Sequence, residues 1–401
     1  MKIIKDPVHG YIEVAPYALD LLDSTILQRL RYIRQLGFSY LVYPGAHHTR
    51  FEHSLGTLYL ANVMARQLNL PEEDHKLVAS AALIHDIGHG PFSHAIEPVM
   101  EELCGRSHHD ASWLLGDRDL SECMECHGIS VEETAAILGG NHPLSGIIHG
   151  ELDVDRMDYL LRDAHYTGAP YGTVDAHRLI RNTCLSDGYI ALEEGGINAA
   201  ESLLIARTLM RPAVYFHHVS RIAEMMLSAA VHAHLKRKPG ADPVAFMRLD
   251  DSGCMQNLLH SPSEVARILA EQIYYRKLYK RALYVGWEQV SAAMIAQEMH
   301  PAKRRSISAA IADAAGVEAH EVLVDIPVFP HSMSVHVMIR NRHRLIGLEE
   351  LSPLVTTLNE TRRGQWRLGV YTPPVHVAAV AAAAREILHI RPLTTQDRLR
   401  F

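Results

Sequence analysis

Leu83-Ile84-His85-Asp86-Ile87-Gly88-His89-Gly90-Pro91-Phe92-Ser93-His94 carries the chain from an apolar segment into a glycine-rich turn bearing three histidines and an aspartate. The run from Leu77 to Ile84 is almost wholly apolar, which predicts a buried helix that delivers His85 at its end. His85 and Asp86 are neighbours, and on a helix their side chains diverge by roughly 100°. They share one ion only where the backbone opens out, and Gly88 and Gly90 are expected to supply that opening. Further ligands must then come from distant parts of the chain.

Arg50-Phe51-Glu52-His53-Ser54-Leu55-Gly56 lies upstream, and Glu151-Leu152-Asp153-Val154-Asp155-Arg156-Met157-Asp158-Tyr159-Leu160-Leu161-Arg162-Asp163 lies downstream. They offer His53 and Asp155. A set of imidazoles and carboxylates suits a divalent transition metal without choosing among Fe, Mn, Zn, Co and Ni. Such an ion acidifies water and neutralises charge on a phosphoryl oxygen. The chain has 27 histidines, so no single one is diagnostic; His47, His48, His217 and His218 have no partner at metal-ligand spacing and receive no role. Asp158 and Arg162, four apart on a helix, read as a structural pair.

With 401 residues, 48% of them hydrophobic, the chain can bury a large core as one big domain or two moderate ones. Its net charge of -7 argues against general nucleic-acid affinity. The segment Met1-Lys2-Ile3-Ile4-Lys5 lacks the apolar stretch of a signal peptide, and no apolar run reaches the ~18 residues of a membrane span. A cytoplasmic location is expected, and the five scattered cysteines fit a reducing compartment. Cys123-Met124-Glu125-Cys126-His127 matches a haem-attachment pattern, but haem attachment needs export and a structural zinc needs a second ligand pair.

Helical periodicity dominates the order of elements. Asp6-Pro7-Val8-His9-Gly10 reads as a turn into a strand at Tyr11–Val14. Helices are expected between Ala18 and Leu36, from His53 to Leu68, across Leu77–Ile84, and from Asp153 to Asp163, Ala199 to Leu209 and Val219 to His234. The period changes only near the end, where residues 321–326, 334–339 and 366–371 look like strands. The expected fold is mainly α, with a helical body over residues 1–300 and a small α+β lobe over 301–401.

The ordered set His53, His85-Asp86, Asp155 strongly resembles the signature of the HD-domain metal-dependent phosphohydrolases. Within that superfamily the chain looks most like the deoxynucleoside-triphosphate triphosphohydrolases, which include bacterial dGTPases and a vertebrate protein carrying a sterile-alpha-motif. Shared stretches over residues 1–285 include Asp6-Pro7-x-His9-Gly10, Gln28-Arg29-Leu30-Arg31-Tyr32-Ile33-x-Gln35-Leu36 and the three blocks above.

The resemblance implies hydrolysis at the α-phosphorus, giving a deoxynucleoside and inorganic triphosphate. His53, His85, Asp86 and Asp155 would hold one divalent ion (Mn, Fe, Zn, Ni, Co or Mg). His94 would protonate the leaving 5′-oxygen, His108 would be a second catalytic histidine, and His89 either lines the site or caps the turn. Arg50, Arg156 and Arg207 would grip the triphosphate. Tyr159 and Asp163 would contact the sugar, Gln35 would read its 3′-hydroxyl, and Tyr215 would pack under the deoxyribose. Lys2, Asp23, Gln28 and Arg31 match positions that bind an activating guanine nucleotide between subunits, so a homo-oligomer, dimer or tetramer, is expected. The competing expectations are an HD phosphomonoesterase or phosphodiesterase acting on nucleotides or other small phosphates, and a nucleotide-sensing or nucleic-acid-binding module with a vestigial site.

Overall fold

The computed structural model describes residues 1–105, 115–186, 189–237, 240, 242–292, 294, 300–330, 337–341 and 344–392. The chain divides into two compact units. The first comprises Met1–Tyr215, Val244–Gly253 and Ser334–Leu358; the second comprises Phe216–Pro243, Cys254–Met333 and Asn359–Phe401.

The first unit opens with an antiparallel hairpin of Lys2–Asp6 and Gly10–Val14, in which Asp6 faces Gly10. Asp6 Oδ1 closes the turn by accepting the amides of Val8 and His9 at 2.9 and 2.8 Å, a local bond that suits aspartate to turns. Gly10 takes φ +80°, where a side chain would be strained. Only the second of these strands was expected, because Lys2-Ile3-Ile4-Lys5-Asp6 is short and charged at its ends.

Three helices then build the core of this unit. Arg50–Gln67 starts with a capping box between Thr49 and Glu52. Glu72–Ile84 has three acidic residues in its first turn, where they favour the helix dipole, and every residue from Leu77 to Ile84 is buried. Val154–Thr167 is capped by Asp153, whose side chain accepts the Arg156 amide at 2.7 Å. Arg50–Gln67 packs against both of the others. Ile197–Met210 runs on into a π-helical turn, Arg211–Tyr215. Pro212 has no N–H to give a regular helix, so the widened turn is the local solution that carries Tyr215. A four-stranded sheet, ordered Thr183–Ser186, Tyr189–Glu193, Met338–Asn341, Arg344–Gly347, completes the unit.

In the second unit His218–Arg237 packs on Glu264–Tyr274. An antiparallel sheet has Arg367–Thr372 in the middle, flanked by Lys280–Gly286 and Leu323–Asp325. The helices Pro301–Ala315 and Val377–Ile387 pack with it around Leu283, Ile311, Val324, Trp366, Leu368 and Val380.

The fold is mainly α with small sheets, as the periodicity implies. Strands occur at Leu323–Asp325, Met338–Asn341 and Arg367–Thr372; of the expected strand over 334–339, Ser334 to His336 lie outside the described residues. No helix among the described residues is long and apolar enough to cross a membrane.

Candidate metal centre

Three helix ends converge on one point. His53 is the fourth residue of Arg50–Gln67, His85 and Asp86 follow the last turn of Glu72–Ile84, and Asp155 is the second residue of Val154–Thr167. His53 Nε2 lies 3.2 Å from His85 Nε2 and 2.9 Å from Asp155 Oδ1. His85 Nε2 is 3.4 Å from Asp86 Oδ1 and 3.6 Å from Asp155 Oδ1. Among the described residues, His53, His85 and Asp86 form a group that could hold a metal ion.

The groups behind the ligands decide their state. His53 Nδ1 donates to Asp158 Oδ2 at 2.7 Å, and His85 Nδ1 donates to the Ala82 carbonyl at 2.7 Å. With Nδ1 carrying the proton, each Nε2 presents a lone pair to the centre. Two nitrogen lone pairs and a carboxylate oxygen within hydrogen-bonding distance of one another need a positive charge between them. A divalent cation fits that donor set.

Burial by itself depresses the His53 imidazolium, and the bonds to Asp155 and Asp158 outweigh burial and push the ring up to about 10. Burial also opposes charge on Asp86, but the Arg50 guanidinium, with His85 and His89, holds it well below the usual carboxylate range. Asp155 is lowered as well, against burial, by its bonds to the two histidines. The carboxylates therefore stay ionised and the site keeps a demand for positive charge.

Asp158 is the hub of the supporting shell. Besides His53 it accepts His9 Nε2 at 2.6 Å and a bidentate pair of bonds from Arg162 at 2.9 and 3.0 Å. Arg162 also donates to Asp6 Oδ2 at 2.9 Å, so the opening hairpin is tied to a metal ligand through two ion pairs. Gly56 makes room for this cluster: a Cβ there would sit 1.8 Å from Asp158 Oδ1. The pairing of Asp158 with Arg162 is legible from their spacing, whereas the reach of His9 and Asp6 across the fold is not.

The loop after His85 and Asp86 turns without left-handed glycine. Gly88 and Gly90 do not take left-handed backbone; Phe92 and Ser93 do, at φ +53° each. Phe92 is held there by its amide bond to Asp251 Oδ1 at 2.7 Å and by stacking on Phe38. Gly90 is instead a packing position, since its Cβ would meet Ile96 Cδ1 at 2.9 Å. Arg29 staples the loop by donating to the carbonyls of Ile87, His89 and Leu249 at 2.8 to 3.0 Å.

Around the centre, Arg50 is buried and donates to Asp86 Oδ2 at 2.6 Å and to Ser93 Oγ at 2.8 Å. Arg156 pairs with Asp153 at 3.0 Å, and Arg207 with Glu151 at 2.7 Å. The Tyr159 ring stands 6.4 Å from His53 and 6.0 Å from Tyr215. Tyr215 Oη donates to Asp163 Oδ2 at 2.8 Å. The Gln35 backbone N–H donates to the His48 carbonyl at 3.0 Å, and among the described residues the Gln35 side-chain Oε1 is buried without a partner. His89 Nε2 is 3.4 Å from Asp86 Oδ1, and its ring meets that of His94 edge-on at 5.1 Å. His94 is 64% exposed and sits 3.1 Å from Glu97 Oε2. His108 lies outside the described residues. Asp155, 28% exposed while His53 is 1% exposed, marks the open side of the centre.

Of the residues expected at a regulatory site, Gln28 and Arg31 are bonded to each other at 2.7 Å, and Arg31 covers the Phe51 ring at 3.5 Å. Lys2 begins the opening hairpin, and Asp23 follows the helix Pro16–Leu22.

The family described as HD domain matches residues 50–163, which include His53, His85, Asp86 and Asp155, and the HD-associated region matches 174–399. The chain belongs to the HD-domain phosphohydrolase family. An uncharacterised protein of Methanocaldococcus jannaschii is 34% identical to this HD-domain chain over 379 residues, covering 93% of it and 79% of that relative. Deoxynucleoside triphosphate triphosphohydrolase SAMHD1 of Gallus gallus is 31% identical over 342 residues, 70% of this chain. The chain spans 56% of the length of that avian enzyme. A crystal structure of a phosphohydrolase from Bacteroides thetaiotaomicron superposes with a TM-score of 0.73 at 25% identity, covering 92% of this chain and 99% of that one.

Proposed function

We propose that this HD-domain hydrolase cleaves deoxynucleoside triphosphates at the α-phosphorus, releasing a deoxynucleoside and inorganic triphosphate. The observation that carries the proposal is the placing of Arg156, Tyr159 and Asp163 on the same helix as Asp155, so that cation, ring and carboxylate follow the metal ligand at fixed intervals. The likeness to the avian triphosphohydrolase supports the choice of substrate.

His53, His85, Asp86 and Asp155 would hold the divalent ion, which supplies Lewis acidity for activating water and for charge on the phosphoryl group. Arg156 and Arg207 meet the phosphate chain, each already oriented by an acidic partner. Arg50, committed to Asp86 and Ser93, acts by fixing a ligand and the loop beyond it. As the bond from the α-phosphorus to the 5′-oxygen breaks, His94 gives that oxygen a proton; its exposure lets it recover one from solvent. Tyr159, Tyr215 and Asp163 receive the sugar.

A guanine-nucleotide effector bound near Lys2, Asp23, Gln28 and Arg31 and a homo-oligomer belong to the same proposal, supported by the resemblance at those positions; a cytoplasmic location is proposed beside them. Light scattering that finds a strict monomer would remove the intersubunit effector.

Incubating the purified chain with each dNTP and each of several divalent ions, and resolving products by anion exchange, tests the proposal. Inorganic triphosphate is the expected product. Orthophosphate would assign a phosphomonoesterase, and a gel shift without turnover would assign a binding module.

A further inference from the structure

His48 is buried, 2% exposed, and meets Asp163, one of the residues proposed to receive the sugar. Its Nε2 lies 2.8 Å from Asp163 Oδ1, and since a carboxylate oxygen only accepts, the ring nitrogen donates. The ring is fixed from one face by Tyr166, with centroids 4.6 Å apart and planes within 14°. Tyr166 is itself anchored by a 3.0 Å bond from its hydroxyl to Glu52, the capping residue of the helix that bears His53.

The other oxygen of Asp163 accepts the Tyr215 hydroxyl at 2.8 Å. Each carboxylate oxygen thus has one internal donor and keeps a second lone pair. Tyr215 has committed its only proton, so its oxygen also offers lone pairs alone. Whatever meets Asp163 here must be a donor, and a dNTP has one free sugar hydroxyl, at C3′.

Resting on the proposed dNTP substrate, we infer that His48 is a positioning residue that holds Asp163 as a fixed acceptor for that hydroxyl and thereby sets discrimination against nucleotides lacking it. His48 acts through Asp163. A dry site built to pair with a hydroxyl rejects the analogue without one, because its own polar group is left unpaired. That rejection needs an acceptor that cannot swing away. Removing the His48 donor leaves Asp163 Oδ1 buried with one bond fewer, and the carboxylate is then free to turn.

The test compares triphosphate release from a dNTP and from its 2′,3′-dideoxy analogue, with kcat and KM, for the parent, His48→Leu, His48→Gln and His48→Asn. Glutamine places an N–H donor near the position of Nε2; asparagine places its donor nearer Nδ1. The parent should prefer the dNTP. In His48→Leu and His48→Asn that preference should shrink at least tenfold, through a higher KM for the dNTP with little change in KM for the analogue. His48→Gln should recover most of it. A purely structural role would lower both substrates together, and should the leucine variant fail to fold, the glutamine and asparagine pair makes the same comparison. Preferences in Leu and Asn variants within twofold of the parent, or equal loss in Gln and Asn, would overturn the role of His48 alone. A parent that cleaves no dNTP would refute the substrate proposal and this role with it.

Discussion

His53 and His85 aim their Nε2 atoms at each other across 3.2 Å, while the Nδ1 of each ring donates to an acceptor behind it. Bonds to Asp155 and Asp158 outweigh burial and push the His53 ring up to about 10 from an ordinary 6.5. A folded value above the unfolded one gives stability that is complete below about 6.5 and is lost as pH rises toward 10. Thermal denaturation of metal-stripped protein should therefore show Tm falling across that window, and a saturating divalent ion should flatten the fall. Parallel curves with and without metal would contradict a shared site.

Gly56→Ala should unfold the protein more readily, although alanine is the better helix former by about 1 kcal/mol. The new Cβ would meet Asp158 Oδ1 at 1.8 Å and an Arg162 nitrogen at 2.4 Å. Displacing a buried ion pair costs about 3 to 5 kcal/mol, so the clash wins. Denaturant titration reads the loss.

Asp158→Asn should fold, because an amide oxygen still accepts from some of the four donors, yet bind metal about 10- to 100-fold more weakly. The cause is the loss of a charged acceptor for His53 Nδ1, which now selects the ring's tautomer and direction. Equilibrium dialysis against Mn or Zn measures the change.

Arg207→Ala should raise KM for a dNTP about tenfold or more, the worth of a hydrogen bond to a charged group. Its partner Glu151 is a quarter exposed, as Arg207 is, so the ion pair itself contributes at most about 1 kcal/mol and Tm should scarcely move. Steady-state kinetics beside a melting curve separates the two effects.

The convergence of His53, His85 and Asp86 was legible in the sequence because each stands in a block whose local pattern also fixes its helix, as with the apolar run that ends at His85. Small strands were harder to see. Lys280–Gly286 mixes charged and apolar residues and becomes a strand only through pairing with Arg367–Thr372, 81 to 92 positions away. The same holds for the supporting residues. His9 meets Asp158, and His48 meets Asp163, only after the hairpin, loop and helices are assembled. The left-handed turn in the loop after Asp86 was hidden for a related reason: a tertiary bond to Asp251 and stacking on Phe38 hold Phe92 in the region that glycine usually takes.

Hydrolysis of a dNTP in ¹⁸O-labelled water, with mass spectrometry of both products, tests the proposed reaction most directly. Attack at the α-phosphorus places one labelled oxygen in inorganic triphosphate and none in the deoxynucleoside, and Asp155→Ala should abolish both products. Label appearing in the nucleoside or in orthophosphate, or an Asp155→Ala protein that works at the parent's rate, would contradict it.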